Sequence, residues 1–111
     1  MESFELLQYL QQKRKELSHA LAESKKRGIA LAESERSYKR AKAKFIAQAR
    51  LEKMADTLIN DLAKGDEEIS DLRHQRDVSK VLYLNAQEAI NVYKLECRLV
   101  EAQIKREWED A

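Results

Sequence analysis

With 111 residues, no proline and only two glycines, the chain lacks the punctuation that strands, hairpins and irregular loops require. Charged residues make up 37% and aromatics 6%, closer to a coiled coil than to a compact domain with one thick core. The net charge of +1 conceals a polarity, because residues 1 to 50 hold 12 Lys/Arg and 6 Asp/Glu while residues 51 to 111 hold 9 and 14. Such asymmetry can guide antiparallel or intermolecular docking, or present a basic face to a polyanion.

The first ten residues, MESFELLQYL, are acidic and then briefly apolar, with Lys13, Arg14 and Lys15 behind the apolar run. That order is the reverse of a secretory signal. No stretch approaches the roughly 18 apolar residues of a membrane span. The lone Cys97 has no partner for an intrachain disulfide and suits a reducing interior. The expectation is a single-domain cytoplasmic protein with no membrane partner.

A first helix is predicted from about residue 3 to about residue 63. Leu10, Leu17, Leu31, Tyr38 and Phe45 hold one heptad phase, with Ser24 filling the intervening position. Gly28 follows Lys25, Lys26 and Arg27, a basic last turn that could end a helix there. Two architectures follow: an unbroken helix in a long antiparallel helical hairpin, or a three-helix bundle broken at Gly28. The unbroken helix is preferred. The heptad phase runs straight across the glycine, and no Ser, Thr, Asn or Asp lies near residues 28 to 30 to cap a new helix.

A turn is predicted at about 64 to 66, with Gly65 in the left-handed position that ends one helix and Asp66 capping the next. Glu67 and Glu68 then occupy a first turn that favours carboxylates. The last helix should run from about 66 to 109, roughly 65 Å at 1.5 Å per residue. Along it, Ile69, Leu72, Arg76, Ser79, Tyr83, Ala86, Ile90, Tyr93, Cys97, Val100 and Ile104 keep a 3-4 spacing. This is a helix-packing seam, and only Arg76 and Ser79 interrupt it. They either fix register or mark a frayed end.

A second row, Val78, Val81, Asn85, Glu88, Val92, Leu95, Leu99 and Ala102, lies offset around the same helix. One partner helix cannot cover both rows. Self-association is therefore expected, with Tyr83, Ile90, Tyr93, Val100 and Ile104 from the first row and Val92, Leu95 and Leu99 from the second as interface residues. Trp108 is expected to cap the end of the bundle.

The segment from Arg36 to Arg50 holds six basic residues and no acid. Arg36, Lys39, Arg40, Lys42, Lys44 and Arg50 are candidates for nucleic acid contact, since a straight basic stripe can neutralise backbone phosphates. A solvated helix face is the simpler reading of the same residues. Tyr38 and Phe45 sit on the heptad seam and are read as core, not as stacking platforms. Glu16 with His19 and Asp71 with His74 share the i, i+3 spacing of di-metal bundles, but such sites also need two further inward carboxylates, and in the three-helix register His19 would lie near residue 92, about 27 Å of helix from His74. They are read as surface histidines beside acids. No phosphate loop, nucleophile elbow or Cys-x-x-Cys pair is present, so no catalytic residue, cofactor, metal or small-molecule substrate is predicted.

The stretch from Tyr83 to Trp108, YLNAQEAINVYKLECRLVEAQIKREW, resembles the end of small helical proteins encoded by siphophages and prophages of Gram-positive bacteria. The resemblance covers the C-terminal third of the chain. It implies a small accessory protein in the cytoplasm of the infected host, working beside phage DNA replication or recombination with phage or host protein partners, and it assigns no site residues. The leading expectation is a non-enzymatic, self-associating interaction or assembly module. The alternative is a nucleic-acid-binding accessory protein that uses the basic stripe.

Overall fold

A computed structural model describes residues 2 to 110. They form α1 (Ser3–Leu51), α2 (Asp56–Gly65) and α3 (Glu67–Asp110), with no strand among the described residues. The fold is all-α, a helical hairpin of α1 and α3 with a short helix at its turn.

Helix α1 runs unbroken through Gly28. The three-helix bundle broken at that residue is therefore not the structure. The Tyr83 ring packs close against this glycine: a Cβ on it would lie 3.1 Å from Cε2 of Tyr83, so a larger residue would require the ring to shift by a few tenths of an ångström. A glycine inside a helix costs about 1 kcal/mol relative to alanine, and the close approach of the Tyr83 ring is what that position provides.

The expectation of a helix reaching Ala63 is corrected, because α1 stops at Leu51. Lys53 adopts φ 60, the one left-handed residue among those described. The Lys53 amide donates to the Arg50 carbonyl at 3.0 Å and the Met54 amide to the Ala49 carbonyl at 3.1 Å. These two bonds make a Schellman end, with lysine in the place glycine usually takes. Helix α2 then starts at an extended Ala55 whose side chain offers no cap.

The turn at 64 to 66 also differs in detail. Gly65 is the last residue of α2 and has no positive φ, so it is not the left-handed terminator expected from the sequence. Asp66 alone makes the corner, extended at φ −65 and ψ 131. Its carboxylate accepts the Ile69 amide at 3.0 Å, the predicted N-cap of α3. Glu67 and Glu68 follow in the first turn.

Packing divides the chain into two compact units. Unit 1 joins α1 up to Lys26 with α3 from Leu84 onward. Leu6, Leu10, Cys97 and Val100 form its buried cluster, with Leu17 and Ile104 packed against them. Ser3 donates to the Glu107 carboxylate at 3.0 Å, and Gln87 donates to the Ser24 hydroxyl at 2.5 Å. The start of α1 thus lies beside the end of α3, so the helices are antiparallel. Lys13 lies 2.7 Å from Glu96 and 3.2 Å from Glu16, and Arg14 lies 3.4 Å from Glu101. Glu96, and then Glu16, hold the Lys13 ammonium well above the usual lysine range. Trp108, expected to cap this end, is 72% exposed, and Glu107 takes the next seam position instead.

Unit 2 spans Arg27–Tyr83 and contains α2. Its buried residues are Ala49, Ile59, Ala63 and Ile69. Arg27 donates to the Leu82 carbonyl at 3.2 Å, and the Ser34 and Ser79 hydroxyls share a hydrogen bond of 3.1 Å. The Arg76 guanidinium lies 4.6 Å from the centre of the Tyr38 ring and 2.8 Å from Asp77. Arg76 and Ser79 therefore belong to a closed polar layer that meets α1, and this part of the seam is not frayed. The Ser34–Ser79 bond and the Arg76–Tyr38 ring contact cross between the helices and favour one register, whereas the Arg76–Asp77 pair lies within α3.

Candidate functional site

If the α3 seam takes heptad positions a and d, the second row falls on c and f, the far side of the helix from α1. The structure follows this division. Within unit 1, Ile90 and Val100 are buried and Tyr93 and Ile104 half-buried in the pairing with α1, and Tyr83 is half-buried within unit 2. Those five residues, expected at an oligomer interface, are occupied inside the chain's own helix pair. Val92, Leu95 and Leu99 remain outward, 50%, 53% and 60% exposed. They are spaced three and four apart, so they form one continuous apolar strip on a helix surface.

The strip has charged ends. Glu88 lies one turn before Val92, and Arg106 lies two turns after Leu99, with Ala102 between. Both charged residues are exposed, and neither belongs to an ion pair among the described residues. Asn91 donates a long hydrogen bond of 3.5 Å to Glu88. Sequence reasoning missed a second set of outward apolar residues on α1, Phe4, Leu7 and Leu21. Leu7 and Leu21 are two heptads apart beside the seam, which is the signal that could have found them.

The basic stripe lies in unit 2. Arg36, Lys39, Arg40, Lys42, Lys44 and Arg50 are all exposed, as nucleic acid contact would require. Arg50 sits 3.9 Å from Asp56, and Lys42 lies 5.9 Å above the Tyr38 ring. Arg36, Lys39, Arg40 and Lys44 take part in no ion pair among the described residues. Tyr38 and Phe45 are half-buried on the seam, in keeping with a packing role.

Helix α2 brings two clefts that the sequence did not reveal. One, of about 580 Å³, is lined by Phe45, Ala49, Met54 and Leu62 with Glu52, Asp61 and Asp66 among its polar groups. The other, of about 190 Å³, is lined by Tyr38, Asn60, Lys42, Lys64 and Arg73 and has no acid in its wall. Arg73 donates to the Lys64 carbonyl at 3.4 Å. Lys42 thus links the basic stripe to a basic recess. Only the acidic cleft has a mainly apolar floor.

His19, His74 and Asp71 are exposed and Glu16 is half-buried beside Lys13, and no group of three or more His, Cys, Asp or Glu able to hold a metal occurs among the described residues. Cys97 is buried on the packing seam. No described helix is long and apolar enough to cross a membrane. Comparison with known proteins finds no matching family model, no similar curated protein and no similar solved structure.

Proposed function

We propose that this chain is a non-enzymatic, self-associating helical module whose interface is the outward face of α3. The observation that carries this reading is the strip Val92, Leu95 and Leu99, half or more exposed on the side of α3 that α1 leaves uncovered. An aliphatic strip with its charges set at the ends is the pattern of a helix that docks on another helix. The resemblance of residues 83 to 108 to small helical phage and prophage proteins fits an accessory or assembly role in the cytoplasm of a bacterial host. Light scattering on a sizing column across a wide concentration range tests the reading. Mass above the 13.0 kDa of one chain is expected, and Leu95→Asp with Leu99→Asp should return it to one chain with helicity intact. A monomer at every concentration would remove the proposal.

A second reading is favoured by the uniformly exposed basic stripe. In it, Arg36, Lys39, Arg40, Lys42, Lys44 and Arg50 bind a nucleic acid backbone, in an accessory role in phage replication or recombination. Affinity for DNA or RNA should then fall steeply with salt, and Arg36→Gln with Arg40→Gln should flatten that dependence. Absence of binding to single- and double-stranded DNA and RNA at low salt would end it.

A further inference from the structure

Building on the self-association reading, we propose that two copies of this chain pair through α3 in an antiparallel, two-fold arrangement centred near position 97. Along the outward face the order is Asn85, Glu88, Val92, Leu95, Leu99, Ala102, Arg106 and Glu109. Acid stands at one end of the apolar strip and base at the other. Turning a second copy end for end sets Leu95 on Leu99 of the second copy, Val92 on its Ala102, and Glu88 on its Arg106. By two-fold symmetry each contact occurs twice.

The opposite alignment fails on charge. Two copies running the same way in register would stack Glu88 on Glu88 and Arg106 on Arg106, at the edges of the apolar strip where water is being excluded. Both side chains are exposed and outside any ion pair among the described residues, and the new contact competes with nothing stronger than the long 3.5 Å hydrogen bond from Asn91 to Glu88. Position 96 also flanks the axis, but Glu96 is already 2.7 Å from Lys13 of its own chain. Arg98, exposed on the other flank, lies beside its own symmetry mate. That repulsion gives the antiparallel arrangement a signature of its own.

Dilution series followed by light scattering or sedimentation read the test. Glu88→Arg and Arg106→Glu should each weaken the dimer about tenfold, and the two together should restore it to within about threefold, because the pairs are re-formed with reversed sign. Arg98→Gln should tighten it about threefold. In Arg106→Lys, a zero-length carbodiimide should join the introduced amine to Glu88. The two positions lie about 27 Å apart along one helix, so that link can form only between copies. Helicity by circular dichroism should not change in any variant, since each side chain is on the surface. A dimer insensitive to both reversals, and without the cross-link, overturns the antiparallel pairing while leaving self-association standing. That outcome would point to the exposed Phe4, Leu7 and Leu21 of α1. A chain that never dimerises overturns both readings.

Discussion

Unit 1 and unit 2 are built from the same two helices, yet they bury different kinds of side chain. In unit 1, Leu6, Leu10 and Val100 enclose Cys97, and two helices suffice to exclude water from that stripe. In unit 2 the α1–α3 seam carries Gly28, Ser34 and Ser79, and its buried aliphatics, Ile59 and Ile69, come from the short helix and the start of α3. There Gly28, Ser34 and Ser79 stand among half-buried Leu31, Tyr38, Phe45 and Tyr83, the α1 part of the seam fully buries no side chain larger than Ala49, and ten further residues fold against the seam as α2. Bulky aliphatics close a pair with no third helix. The outer face of α3 in unit 1 consequently has no cover from its own chain.

Breaking that contrast should cost most at Leu6. Leu6→Ala removes a side chain 2% exposed from the two-helix core and should destabilise the protein by about 3 kcal/mol in urea titration. Ile59→Val trims one methylene under α2 and should cost about 1 kcal/mol, with faster hydrogen exchange over residues 56 to 65. The smallest change sharpens the joint: Lys53→Gly relieves a left-handed residue and should raise stability by a little under about 1 kcal/mol. Loss of stability in that variant would mean that the Lys53 side chain makes a contact that outweighs its backbone strain.

The seam of α3 was fully legible because a 3-4 spacing over so many turns has one physical solution, a stripe laid against another helix. Continuity through Gly28 was legible for the same reason. The break after Leu51 was not, because its two usual markers are missing: Lys53 stands where glycine is favoured, and Ala55 stands where Ser, Thr, Asn or Asp would cap. A subtler sign existed. The heptad phase of Leu31, Tyr38 and Phe45 next falls on Glu52, so the stripe had already lapsed there. At Gly65 the composition suggested a left-handed corner, whereas the extended Asp66 turns the chain by itself. For the candidate site, spacing identified both rows of α3 but could not say which faced α1. The clefts beside α2 depend on a helix boundary that no residue announced.

Cys97 gives unit 1 an internal clock. It is the only thiol in the chain, and it is buried among Leu6, Leu10 and Val100. A thiol reagent can reach it only when α1 and α3 part at that point, so the rate of modification counts openings of the pair. Closing α3 against a second copy should slow that rate as protein concentration rises, and no substitution is needed to watch it.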